Sequence, residues 1–225
     1  MRFVDLGTVT PEYSVCADKV LLSSHSEDTL LIYSRDRPCI SVGRFQREDE
    51  TVDLEYTERN DISVVRRASG GSNIYSDEHQ LTYSLIVSRN RLRMDRNESF
   101  AVVCGCVVDA LGILGIEGEY KPVNDILVNG KKISGGAQAR TANAILQHGS
   151  LILDVDDDVV KLSLKDSKKR AYDGLTSMKE CLGRIPSRDE IADAVIAGFS
   201  GYFGHIEKEC LTDEERIMIN RSFSY

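Results

Sequence analysis

Apolar positions along this chain follow two rhythms, short extended runs and helical stripes. Residues 29–33, 62–66, 81–87 and 150–155 are rich in Leu, Ile, Val and Tyr and are bounded by polar or glycine residues, which predicts strands. Within 126–133, Asn129-Gly130 separates two short β-compatible runs, the signal of a two-residue hairpin that would present Lys132 just beyond its turn. Between 100 and 114, Phe100, Val103, Val107, Ala110, Leu111 and Leu114 recur at three- and four-residue steps, predicting a helix ended by Gly115. After Pro186, Ser187 and Glu190 form a capping-box pattern ahead of a stripe of Ile191, Val195, Ile196 and Phe199, and Thr212 with Glu215 predicts a third, short helix. Strands before and after a central helix, with a helical tail, predict an α/β or α+β sandwich. No repeat, low-complexity tract or long linker divides the chain, so one domain over 1–225 is expected.

Composition narrows the function. With 41% hydrophobic and 28% charged residues among 225, the chain reads as an ordinary globular protein. It shows no apolar run of bilayer-spanning length and no secretory leader at its start, so no membrane partner is expected and the cytoplasm is the expected compartment. Acidic residues outnumber basic ones, 36 to 28, which argues against a nucleic-acid binder and for a small anion or a protein as partner. The six cysteines, at 16, 39, 104, 106, 181 and 210, are scattered, which predicts reduced thiols, and no metal-ligand spacing points to zinc.

Against that acidic balance, two segments gather fixed cations beside small-residue loops: Arg66-Arg67-Ala68-Ser69-Gly70-Gly71, and Asn124-Asp125 followed by Gly130-Lys131-Lys132-Ile133-Ser134-Gly135-Gly136-Ala137-Gln138. Glycines allow close backbone approach and expose N–H groups, while Arg and Lys supply the charge that a phosphate or carboxylate requires. Neither segment has the glycine spacing of a Walker loop or a dinucleotide fingerprint.

Together with Gln147-His148-Gly149-Ser150-Leu151, these segments resemble the signature of lipoate–protein ligases of the biotin/lipoate ligase superfamily. Upstream, Pro38 to Gln46 resembles the family's Pro-x-x-x-x-Gly-Arg-x-Gln stretch, and Ser177-Met178-Lys179-Glu180 resembles a later helical segment. The resemblance implies a mixed α/β catalytic domain related to biotin ligases and class II aminoacyl-tRNA synthetases, attaching lipoate to a lysine through a lipoyl-adenylate made with ATP and Mg²⁺. It implies Lys132 and Asp125 as catalytic residues, with Lys132 between the acyl carboxylate and the α-phosphate and Asp125 orienting it or holding Mg²⁺. Arg67, Ser69, Gly70 and Gly71, the strip Ser72, Asn73, Ile74 and Tyr75, and Asn124, Lys132 and Ala137 are implied to meet ATP or the adenylate. Lys132, Gly71 and His148 are implied to meet lipoate, whose tail is expected in an apolar channel with strand residues of 81–87 and 40–42 as candidates. Ser72, Asn73, Ser76 and Gln80 depart from the family pattern, the first two putting side chains where bare backbone is usual.

The implied acceptors are lipoyl domains of 2-oxoacid dehydrogenases and the glycine cleavage H protein. The helical tail ends at Tyr225 without room for the small C-terminal domain that many such ligases carry, so a separate accessory protein is an expected partner. Two alternatives remain: an octanoyl or lipoyl transferase of the same fold, and a non-catalytic lipoate- or nucleotide-binding module. The transferase needs a reactive thiol near the lysine loop. No cysteine lies between Lys132 and Asp154, which leaves Cys104 or Cys106 to approach in space. Biotin ligases are disfavoured by the absence of their Gly-Arg-Gly-Arg loop and of any Trp.

Overall fold

The computed structural model describes residues 1–155 and 174–223. Its elements in chain order are β1 (Arg2–Val9), α1 (Pro11–Ser23), β2 (Thr29–Arg35), β3 (Cys39–Val42), α2 (Glu48–Thr51), α3 (Leu54–Arg59), β4 (Ser63–Arg66), β5 (Ile74–Ser76) and β6 (Gln80–Ser88). These are followed by α4 (Arg96–Ile113), β7 (Glu119–Lys121), β8 (Asp125–Val128), β9 (Lys131–Arg140), β10 (Ala144–Ile152), α5 (Met178–Leu182), α6 (Arg188–Phe203), β11 (Glu207–Glu209) and α7 (Asp213–Phe223). A mixed sheet runs in the order β11-β1-β2-β6-β10-β9-β8-β7, and a smaller one in the order β4-β3-β5.

Strand alternation divides the large sheet into two faces of different character. On one face Leu30, Ile32, Leu81, Tyr83 and Leu85 join the apolar stripes of α4 and α6 in a continuous core. On the other, Leu31, Ile86 and Leu146 pack against Ala17, Val20 and Leu21 of α1 and Ile219 of α7. Further along that second face the residues turn polar, with Tyr33, Arg35, Thr82, His148 and Ser150, and here the small sheet covers the large one across a cavity. The expected mixed α/β architecture is therefore present, and its polar seam is where the arginine, lysine and histidine motifs of the sequence meet.

Local signals explain the element boundaries. Asn129 and Gly130 take φ of 50° and 76°, the backbone of a tight hairpin between β8 and β9. Ser187 and Glu190 close a reciprocal capping box on α6, and Thr212 and Glu215 exchange hydrogen bonds of 2.9 and 3.2 Å at the start of α7. Helix α4 begins before the periodic stripe, because Asp95 and Glu98 form a capping box ahead of an exposed first turn that carries no apolar signal. The strand expected at 150–155 instead spans Ala144–Ile152, and beyond it the N–H groups of Leu153 and Asp154 turn to His79 O. Its polar centre, Gln147-His148, hid the alternation. Helix α1 is absent from the sequence reading, since two polar residues, Ser14 and Asp18, occupy its buried face. Among the described residues, no helix is long and apolar enough to cross a membrane.

Candidate active site

Tyr33, Thr82, Ser150, Gly135 and Asp125 are successive register partners across β2, β6, β10, β9 and β8. This row leads to Lys132 through an irregularity: Ile126 pairs with Ser134, yet Leu127 pairs with Lys132, leaving Ile133 as an extra residue. Ile133 is buried in the core. The bulge resets the alternation, bringing Lys132 to the same face as Gly135. A Cβ on Gly135 would stand 2.5 Å from both Cε and Nζ of Lys132, so glycine is required for the lysine to lie across the strand. Asp125 Oδ1 holds the ammonium at 2.7 Å. The Lys132 backbone is pinned by Gly174 O at 2.8 Å and by the Thr176 N–H at 3.0 Å. Lys131 points elsewhere and pairs with Glu180. Asn124 does not approach this lysine; its side chain donates to Gly136 O at 2.5 Å and its carbonyl accepts from Gly136 N–H at 2.8 Å, stitching β9 in place.

The arginine loop lies opposite. Arg67 is buried, and its guanidinium donates to Ser41 O, Gly70 O, Ser72 O and Ser69 Oγ at 2.6 to 3.0 Å. Its visible work is to wrap the loop around itself, converging carbonyls that would otherwise lie unpaired beside a cavity. Arg66 faces out and secures the preceding turn through Gly43 O, Gln46 O and Glu48. Gly71 has φ of 92°, Ser72 is exposed, and Asn73 donates to Thr51 Oγ1. Ser76 Oγ and Cys39 Sγ both accept from Arg35.

His148 ties the loop to the body of the protein. Its Nδ1 is 2.7 Å from Asp18 Oδ2 and its Nε2 2.6 Å from Ser69 Oγ. A carboxylate only accepts, so the proton sits on Nδ1 and Nε2 accepts from Ser69, whose oxygen accepts in turn from Arg67. Both ring nitrogens are thus spent within the protein. The chain Asp18–His148–Ser69–Arg67 is a brace, and its hydroxyl is fully buried. Asp18 had no signal in the sequence beyond its place on a buried helical face.

Two cavities flank Gly135. The first is lined by Tyr33, Arg35, Arg67, Thr82, Ala137 and His148 among others, and the second by Tyr75, Gln80, Lys132, Ile152 and Leu175; Ile74, Gly135 and Ser150 border both. The apolar channel expected from 81–87 and 40–42 is not what these strands supply. Leu81, Leu85, Ile40 and Val42 point into cores, and the alternate residues Thr82 and Ser41 line the first cavity.

Neither Cys104 nor Cys106 lines these two cavities, although Cys104 lies close enough to feel the Asp125 carboxylate; burial foremost pushes both thiols up to about 12, with Asp125 adding to it at Cys104 and Asp109 at Cys106. Cys39 is the thiol whose partners, Arg35 and Ser76, line a cavity, and it is fully buried. Among the described residues no three His, Cys, Asp or Glu side chains gather to hold a metal ion. Asp125 is a single carboxylate beside Lys132, a donor set suited to an ion that arrives with phosphate oxygens of its own.

The sequence was compared with known proteins. The family described as lipoyl protein ligase A/B catalytic domain matches residues 10–200. The chain is 28% identical to octanoyltransferase LipM of Geobacillus kaustophilus over 97% of its own length and 92% of that protein's. It is 36% identical to lipoate-protein ligase LplJ of Bacillus subtilis over 71% of this chain and 47% of that one. Among solved structures, the bi-partite lipoate protein ligase of Thermoplasma acidophilum, studied with its E2 lipoyl domain, superposes with a TM-score of 0.88 at 28% identity, covering 99% of this chain and 91% of that one.

Proposed function

This chain belongs to the lipoyl protein ligase A/B catalytic-domain family, and on that footing we propose that it is an ATP-dependent, AMP-forming lipoate–protein ligase. The observation that carries this reading is Lys132, laid across Gly135 by Asp125 at the junction of two cavities. In this reading the first cavity takes the acyl chain and the second opens toward the nucleotide. A carboxylate oxygen of lipoate attacks the α-phosphorus of ATP and expels pyrophosphate. Two anions must meet for that step, and a fixed ammonium between them lowers their repulsion and stabilises charge developing at phosphorus. The acceptor lysine amine then attacks the acyl carbon, AMP leaves with the carbon–oxygen electrons, and the amine's proton passes to solvent. Asp125 orients Lys132 and would provide the carboxylate for Mg²⁺ bound to the phosphates. The loop braced by Arg67 and His148 forms the opposite wall. Lipoyl domains of 2-oxoacid dehydrogenases and the glycine cleavage H protein are the proposed acceptors, in keeping with the lipoyl domain of the Thermoplasma ligase.

The second reading is octanoyl transfer from a carrier protein, which the relatives named octanoyltransferase favour. It requires a thiolate to carry the acyl group. The raised thiols of Cys104 and Cys106 do not supply one, Cys39 is enclosed between Arg35 and Ser76, and Cys16, Cys181 and Cys210 line neither cavity. We place the ligase first on that ground. Incubating the protein with lipoate, MgATP and labelled pyrophosphate tests it: exchange of label into ATP supports the ligase, and its absence with activity from an octanoyl carrier supports the transferase. Adenylation is further proposed to gain from a separate small protein, as the bi-partite relative suggests. An adenylate must be shielded from water, and a covering partner provides closure. Transfer from synthetic lipoyl-adenylate is then expected without it.

A further inference from the structure

The first cavity ends at a cation that the proposed chemistry leaves unused. Arg35, at the end of β2, is 7% exposed and lines the cavity. Its Nε donates to Ser14 Oγ at 3.3 Å, and its Nη1 to Cys39 Sγ at 3.1 Å and to Ser76 Oγ. None of these partners is a carboxylate. Among the described residues no carboxylate lies within ion-pair distance of Arg35, and Nη2 makes no hydrogen bond. Burial works against its charge, while Cys39, Tyr33 and, behind them, Asp18 favour it through space; the Asp18 carboxylate is itself engaged by His148. Nη2 is not sealed within the protein, so its two undirected N–H groups are open to whatever fills the cavity, and an occupant that excludes water without accepting from them leaves them unsatisfied.

The cation also sits at an informative distance. Arg35 and Lys132 lie on strands separated by β6 and β10, three spacings or about 14 Å. An extended eight-carbon acid whose carboxylate meets Lys132 would run along the Tyr33–Thr82–Ser150–Gly135 row and bring its far end toward Arg35.

Resting on the reading of the first cavity as the acyl site, we propose that Arg35 is a specificity-determining residue that selects acyl acids bearing a hydrogen-bond acceptor at the end remote from the carboxylate. The dithiolane sulfurs of lipoate are such acceptors, and the site already uses sulfur this way in the Arg35–Cys39 bond. A plain alkyl terminus would cover the guanidinium with methylene and methyl groups and leave it unsatisfied.

The test is equilibrium binding by calorimetry of R-lipoate, 8-hydroxyoctanoate and octanoate to the purified protein without ATP. Lipoate and 8-hydroxyoctanoate are expected to bind on the order of tenfold more tightly than octanoate. Arg35→Leu should bring the three to within about twofold, and Arg35→Lys should keep part of the preference. If Arg35→Leu does not fold, the ligand series on the unaltered protein still decides. Octanoate binding as tightly as lipoate to that protein, or a folded Arg35→Leu protein that retains the preference, would overturn the proposal. Lipoyl transfer from synthetic lipoyl-adenylate to a lipoyl domain, measured alongside, separates the two ideas, since its failure would sink the ligase reading and leave the binding preference untouched.

Discussion

Gly43 and Gly71 approach so closely that a Cβ on Gly43 would stand 2.1 Å from the Gly71 carbonyl oxygen. That contact locks the end of β3 to the glycine loop, so two motifs far apart in sequence depend on one missing side chain. Gly43→Ala is expected to push the loop away, costing about 1–3 kcal/mol of stability and weakening both ligands. Gly70→Ala is the control, because its methyl would meet only the Phe45 ring at 3.8 Å. Thermal melts and ligand titrations of the two variants check the pair, and equal behaviour would refute the close-contact argument.

Lys132→Ala should lower adenylation by ~10²–10³-fold with the fold intact, since the lost interaction is with charge that appears in the reaction. Lys131→Ala, which removes the exposed pair with Glu180, should be mild. Gly135→Ala is expected to resemble Lys132→Ala in rate while melting near the unaltered protein, because the new methyl meets the flexible end of the lysine and, at 3.2 Å, the Asp125 side chain rather than backbone. Pyrophosphate exchange and melting curves measure all three; near-full activity of Lys132→Ala would remove that residue from the mechanism.

The brace gives a different signature. The resemblance assigns Arg67 to the nucleotide, but its guanidinium donates to Ser41, Ser69, Gly70 and Ser72. Arg67→Ala is therefore expected to weaken ATP and lipoate together. Asp18→Asn, which frees His148 to change tautomer, should do the same to a smaller degree, whereas Arg66→Ala should leave lipoate unaffected. Separate titrations of each ligand decide, and a loss confined to ATP at Arg67 would show that its role is direct.

Thiol chemistry separates the two activities. With Cys104 and Cys106 held near 12, iodoacetamide at neutral pH should modify the exposed Cys181 and Cys210 and spare the buried thiols. Activity should survive alkylation and also Cys39→Ser. Loss of all acyl transfer in Cys39→Ser, with an unchanged melt, would point to an acyl-thioester enzyme.

Much of this site was legible as sequence because its chemistry is local. The Asn129-Gly130 turn, the lysine after it and the glycines beside it are contiguous, and cations beside small residues announce an anion site. What stayed hidden depends on long-range placement. Asp18 reaches His148 across 130 positions, and a buried acid breaks the apolar stripe that would have marked its helix. Arg35 lies beyond the strand expected at 29–33, in a segment whose observed strand runs to Arg35. The polar lining of the first cavity followed from alternation, but which face of β6 meets the small sheet is fixed only when β3 and β5 fold over it. The bulge at Ile133 could not be read at all, since a single extra residue leaves no mark on composition.

The central claim, ATP-dependent lipoylation, is tested most directly by the mass of a purified lipoyl domain after incubation with this protein. One arm supplies lipoate and MgATP, one synthetic lipoyl-adenylate, and one octanoylated carrier protein without ATP. The account expects the lipoyl mass increment from lipoyl-adenylate and, with the accessory protein if adenylation needs it, from lipoate with MgATP, and no increment from the carrier. An increment from the carrier alone would contradict it.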